Sequence, residues 1–251
     1  MYEEFASVYD RMMGNMPYDD WRDLICGYLA ERGITDGTIC ELGCGTGSMT
    51  ERLAAAGFDM IGVDVSPDML AAAQSKKEQS GLDILYIQQD MEQLELTGPV
   101  DVILSICDSM NYILEEDGIR NVFDRVYQFL KPGGYFIFDL KTIYCYRNII
   151  GSRTWVEQDE DISYIWENYF YEDDSINEYQ LTIFCRQQGS SLYEKIEETH
   201  YQRAYTLQQV GELIEGSGLC VADCFTGDRK EPQDDSERIY IAAKRREDKD
   251  E

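Results

Sequence analysis

Glu41-Leu42-Gly43-Cys44-Gly45-Thr46-Gly47 lies between an apolar strand-like run, Thr38 to Leu42, and a helix-like run, Met49 to Ala56, that stops at Gly57. The chain must bend sharply at this junction, and glycine allows it by supplying positive φ and leaving no Cβ in the way of a docking group. A pyrophosphate-binding loop would read G-x-G-x-x-G, with its third glycine at position 48, but that position is Ser48. A tight turn without ligand stays open on the loop alone. Its surroundings favour a site: a second apolar run, Phe58 to Val63, ends on Asp64, 21 positions after Gly43. That is close to the roughly 20 positions at which Rossmann-type folds place a ribose-binding carboxylate. A carboxylate at a strand tip accepts from both ribose hydroxyls, whereas burying it unpaired is costly. The alternative is a solvated end-of-strand Asp.

The 251 residues suit one domain with an insertion, and 43% hydrophobic residues are enough for a full core. No apolar run approaches the roughly 18 residues of a membrane span, and Met1-Tyr2-Glu3-Glu4 has no secretory character. A cytoplasmic location without membrane attachment is expected. Eight cysteines are scattered without C-x-x-C pairs, several in strand-like runs, and read as reduced core residues. With one histidine and no Cys/His cluster, no metal is expected. The net charge of −27 repels phosphate backbones, which disfavours direct nucleic-acid binding, although a local basic patch could survive. Residues 247–251 read as an acidic tail.

Alternation organises the first half. Glu3 to Met13 and Asp20 to Glu31 carry apolar residues at helical spacing. Five strands follow at 38–42, 58–63, 84–88, Val100 to Ile106 and Tyr135 to Asp139. Ser66-Pro67-Asp68 opens a helix with an N-cap and a proline at N1, and Lys131-Pro132-Gly133-Gly134 closes another before the fifth strand. This is the rhythm of a doubly wound α/β sheet. It breaks after the fifth strand, where three hairpin strands are expected: Asp161 to Tyr171, Ile176 to Gln187 and Leu192 to Ala204, with a turn at Gln188-Gly189-Ser190. Thr206-Leu207-Gln208-Gln209 is a capping box, and Leu219 to Phe225 and Ile239 to Ala243 close the sheet. Residues 1–144 and 205–246 thus form the Rossmann-like unit, and 145–204 an antiparallel insertion.

Chemistry concentrates at strand ends. Gln89-Asp90-Met91 follows the third strand, where Asp90 either meets an adenine amino group or only forms the turn. Ile106-Cys107-Asp108-Ser109-Met110-Asn111 follows the fourth, where Asp108 either orients a substrate or caps the next helix. Tyr9, Tyr18 and Trp21 offer aromatic faces to a cation, with core packing as the alternative. His200 is the one histidine, sharing a strand face with Ile196 and Gln202, and is either a base or a sheet histidine.

The order Phe5-Ala6-Ser7-Val8-Tyr9-Asp10, the glycine loop, Asp64, Asp90 and a β insertion resembles the small bacterial class I S-adenosylmethionine (SAM) dependent methyltransferases. The chain is most similar to their YqeM-like group in Gram-positive bacteria, through Gln158-Asp159-Glu160-Asp161-Ile162-Ser163-Tyr164-Ile165-Trp166 and Glu198-Thr199-His200. More distantly it resembles sugar and glycine N-methyltransferases. The resemblance implies a seven-stranded Rossmann-like sheet whose last strand is antiparallel, with the insertion as a substrate lid. It implies a SAM site of Tyr9, Tyr18, Trp21, Glu41, Gly43, Cys44, Gly45, Gly47, Asp64, Val65, Met69, Asp90, Met91 and Cys107. It also implies methyl transfer to N or O of a small molecule, with His200, Asp108 and Tyr9 on the acceptor side. A SAM-binding module that docks a protein partner, or an RNA methyltransferase, are the alternatives. The acceptor and the oligomeric state, a homodimer included, are not readable from the chain.

Overall fold

The computed structural model describes residues 8–187 and 189–247, so residues 3–7 of the first expected helix, Gln188 of the hairpin turn and positions 248–251 of the tail lie outside it. Residues 8–12 are helical. Then follow α1 (Tyr18–Ala30), β1 (Thr38–Leu42), α2 (Ser48–Ala55), β2 (Asp59–Asp64), α3 (Pro67–Ser80), β3 (Ile84–Gln88), β4 (Val100–Ser105), α4 (Glu116–Phe129) and β5 (Leu130–Lys141). Four strands come next, β6 (Thr154–Gln158), β7 (Ile162–Tyr171), β8 (Ile176–Arg186) and β9 (Tyr193–Arg203). The chain ends with α5 (Leu207–Gly216), β10 (Leu219–Phe225) and β11 (Arg238–Arg245).

The main sheet has the order β10-β11-β5-β4-β1-β2-β3, and β11 runs antiparallel to both of its neighbours. Period-two alternation fills both of its faces. Ile39, Val102, Leu104 and Ile137 pack with Trp21, Ile25 and Leu53 from the α1 and α2 side. Cys40, Ile103, Phe136 and Phe138 pack with Val122, Phe123 and Val210 from the α4 and α5 side. Truncating Leu104 or Phe136, both fully buried, would cost about 3–5 kcal/mol. Because β1 is flanked by β4 on one side and β2 on the other, the strand order reverses there, and the carboxyl ends of β1 and β4 open a crevice.

Local signals act as written. Ser66 Oγ accepts from Met69 N at 3.3 Å, with Pro67 at N1. Thr206 Oγ1 accepts from Gln209 N while Gln209 Oε1 accepts from Thr206 N, closing the capping box. Two expectations need correction. The fifth strand begins at Leu130, because an irregularity in the β4–β5 register between Val100 and Val102 keeps Lys131-Pro132-Gly133-Gly134 inside the strand's bounds. The insertion has four strands, not three: Thr154–Gln158 is exposed at all five positions and carries no burial alternation to reveal it. None of the eight cysteines is in a disulfide.

Candidate active site

The glycine loop leaves β1 with φ of 68° at Gly43, 54° at Gly45 and 77° at Gly47. Gly47 is the left-handed N-cap of α2, where a Cβ would run into Tyr86 Oη. Gly45 differs, since a Cβ there meets open space. Its backbone therefore faces the crevice, as close approach of a ligand requires. Asp64 binds the loop to β2: its Oδ2 accepts from Gly45 N at 2.7 Å and its Oδ1 from Ser66 N at 2.9 Å. Burial raises the Asp64 pKa, and these N–H groups oppose the rise. Glu41 faces inward and accepts from Thr50 Oγ1 at 2.5 Å. Burial pushes its pKa up to about 8, against the Thr50 hydrogen bond. It ties β1 to α2 from within.

The helical segment at residues 8–12 is clamped onto this loop by a group that sequence reading missed. Thr46 Oγ1 donates to Asp10 Oδ1 at 2.5 Å, and Lys76 Nζ reaches Asp10 Oδ2 at 2.5 Å, Ser48 Oγ at 2.9 Å and Thr46 Oγ1 at 3.1 Å. The hydroxyls at Thr46 and Ser48 inside a glycine loop were the available signal. The clamp carries Tyr9 to the tip of β4. Burial raises the Tyr9 phenol pKa, and its electrostatic neighbours Cys107, Tyr18, Tyr112 and Asp108 raise it further. Tyr18 meets Trp21 edge-on at 5.4 Å. Trp21 is buried in the α1-side core, as its core-packing alternative describes, with the Arg238 guanidinium 5.4 Å from its ring centroid.

At the tip of β4, Cys107 and Asp108 are consecutive non-glycine residues with φ of 69° and 54°, a strained turn of the kind that collects at functional sites. The strain is held by a buried charge network. Asp108 Oδ1 meets Arg238 Nη2 at 2.8 Å, and its Oδ2 meets Lys141 Nζ at 2.9 Å and accepts from Gln202 Nε2 at 2.7 Å. Arg238 also pairs with Asp139, whose carboxylate accepts from Asp108 N. Burial would raise the Asp108 pKa, but Lys141 and Arg238 outweigh it and hold the carboxyl low. The helix-cap alternative for Asp108 is not what is observed: its side chain makes no helix cap, and both oxygens are engaged, so it positions the wall of the crevice.

This network also joins the two sheets. Gln202 Oε1 accepts from Tyr179 Oη at 2.6 Å and from Tyr146 Oη at 2.8 Å, and Asn111 Nδ2 donates to Arg203 O at 2.8 Å. β9 is thereby fixed over the tip of β4. Its inner face carries Ile196, which packs with Val8 and Met69, and His200, whose ring stands edge-on to Tyr112 at 5.9 Å. Burial lowers the His200 pKa, which leaves the imidazole neutral at pH 7.

The remaining expected residues divide. Met91 Cε lies against the inner side of Gly43, and Cys44 is buried at the loop. Burial pushes the Cys107 thiol up to about 12, which removes it as a nucleophile near pH 7. Asp90 Oδ1 accepts from Glu92 N at 2.9 Å, so one oxygen forms the turn. Val65 is 65% exposed, at the outer end of the Asp64 tip. Among the described residues no group of His, Cys, Asp or Glu is arranged to hold a metal, and no helix is long and apolar enough to cross a membrane. Open backbone at Gly45, a carboxylate at the β2 tip and apolar Met91 fit a nucleoside joined to an amino acid, as in SAM.

Comparison with known proteins agrees with this geometry. Residues 39–134 match the methyltransferase domain model. A protein of Geobacillus sp. (strain WCH70), named as a methyltransferase, is 37% identical over 248 residues, 97% of this chain and 99% of its own length. YqeM of Bacillus subtilis (strain 168), also named as a methyltransferase, is 35% identical over 250 residues, 98% of this chain and 97% of its own. The crystal structure of an S-adenosylmethionine-dependent methyltransferase from Clostridium acetobutylicum ATCC 824 superposes with a TM-score of 0.88 at 29% identity, covering 98% of this chain and 99% of that one. The chain therefore belongs to the YqeM-like group of class I SAM-dependent methyltransferases.

Proposed function

We propose that this enzyme methylates nitrogen or oxygen of a small molecule held between the tip of β4 and the inner face of the β6–β9 sheet, which serves as a lid. The observation that carries this reading is the attachment of β9, whose Gln202 is hydrogen-bonded to Asp108 and whose His200 meets Tyr112, directly over the strained turn. An acceptor enclosed there is screened from water and limited in size. SAM supplies an electrophilic methyl on its sulfonium. Asp64 would take the ribose hydroxyls, Asp90 the adenine, and the Gly43 to Gly47 loop the amino-acid end. The chain's own part is mainly positioning, because aligning nucleophile and methyl supplies most of the acceleration. His200 and Tyr9 face the acceptor side, where neutral His200 can accept a proton. Asp108 holds the turn between them. RNA is a poor fit, since the cations nearest the crevice, Lys76, Lys141 and Arg238, are all spent in ion pairs.

The test is turnover of labelled SAM against a metabolite panel covering amines, hydroxyls and carboxylates. Transfer to at least one small molecule, lost on substitution at the lid face, is expected. Transfer confined to RNA or protein would overturn the reading.

A further inference from the structure

The inner face of the lid is uneven in charge. Antiparallel register sets Trp166, Leu181 and Glu198 side by side across β7, β8 and β9, and puts Tyr164, Tyr179 and His200 on the same face. Every lysine and arginine of these three strands, Arg186, Lys195 and Arg203, falls on the opposite register. Glu198 stands between Ile196, packed with Val8 and Met69, and His200, packed on Tyr112, each about 7 Å away along the strand. It therefore lies midway across the crevice. Its Oε1 is buried, and no described residue donates a hydrogen bond to it. An unpaired carboxylate oxygen in that position is costly unless a ligand supplies the proton donor. The same face already holds one ammonium: Lys141 Nζ lies 3.3 Å from Tyr179 Oη and 5.4 Å from the ring centroid, paired with Asp108.

We propose that the acceptor is an amine, presented as its ammonium to the Glu198 carboxylate and to the aromatic side chains around it. The assignment rests on the small-molecule reading above and narrows it to one acceptor class. Cation–π attraction and the carboxylate charge both favour an ammonium over a hydroxyl or a carboxylate. The acceptor then passes a proton to Glu198, whose pKa burial raises. The freed nitrogen lone pair forms the N–C bond to the methyl carbon as the C–S bond breaks and its electron pair goes to sulfur. The products are an N-methylammonium and a neutral thioether.

The experiment incubates the full chain with SAM carrying a 13C methyl and the low-molecular-weight fraction of a bacterial extract, and reads the labelled atom by NMR. Label on nitrogen is expected. With that labelled acceptor purified, Glu198→Gln should lower kcat/KM tenfold or more, mainly through a raised KM, while Glu198→Asp keeps most of the activity. Binding of S-adenosylhomocysteine should stay within twofold in both variants, which separates acceptor recognition from folding and from the cofactor site. Label on oxygen or carbon, or nitrogen methylation undiminished in Glu198→Gln, would overturn the proposal alone. Absence of label from every small molecule, with S-adenosylhomocysteine still bound, would overturn the small-molecule reading and this proposal with it.

Discussion

The two walls of the crevice are built by different means. On the glycine-loop side the contacts of the central carboxylate are local, Asp64 reaching Ser66 two residues away and Gly45 nineteen residues away. On the lid side they are remote, Asp108 reaching Lys141, Gln202 and Arg238 across 33, 94 and 130 positions. One wall is backbone and glycine, whose demands show in spacing. The other is balanced charge, two carboxylates against two cations, which no local pattern encodes. A nucleoside common to a whole enzyme class can be met by the first kind of wall, whereas the second can change with the acceptor while the sheet stays the same.

The comparison is broken most severely at Asp108. Asp108→Asn leaves Lys141 and Arg238 with too little negative charge in a buried site, an expected loss of about 3–5 kcal/mol of stability. Urea denaturation measures it, and a loss under 1 kcal/mol would show that the network does not hold the lid wall. A smaller effect is expected inside the other wall. Glu41 has a folded pKa of about 8 against an ordinary 4.5, so it keeps a proton that the unfolded chain has released between those values. Its contribution to stability is full below pH 4.5 and is lost as pH rises toward 8. Glu41→Gln should therefore gain on the wild type by about 3 kcal/mol between pH 5 and 8. A constant difference across that range would place the titration elsewhere.

Legibility follows the same division. The glycine loop, Asp64 and the strands at 38–42 and 84–88 could be read because each is short-range and periodic. His200 was read correctly onto the inner face of its strand, by alternation alone. Lost were β6, which buries nothing, and the partners of Asp108, which the fold brings together from three strands, β5, β9 and β11. Trp21 carried two readings because an aromatic residue near a site looks alike whether it faces ligand or core. The Asp10 clamp was missed because it joins residues 36 and 66 positions apart through side chains that are ordinary on a surface.

That clamp gives the smallest expected stability effect. Asp10→Ala frees Lys76, Thr46 and Ser48 at a half-exposed position, for a loss of about 1 kcal/mol. It should also weaken S-adenosylhomocysteine several-fold, because the loop it restrains is the one proposed to hold the cofactor. Unchanged affinity by fluorescence titration would make the clamp structural only.

The separation of the two walls is tested most directly by calorimetric titration of S-adenosylhomocysteine into the wild type, Asp64→Ala and His200→Ala side by side. One-to-one binding is expected in the wild type. Asp64→Ala should weaken it by about 2 kcal/mol, near thirtyfold, through the lost ribose contacts. His200→Ala should leave the constant within twofold while lowering turnover on the acceptor. No binding to the wild type at millimolar ligand, tighter binding of NAD, or an equal loss in both variants would contradict a site with its cofactor on the glycine loop and its acceptor under the lid.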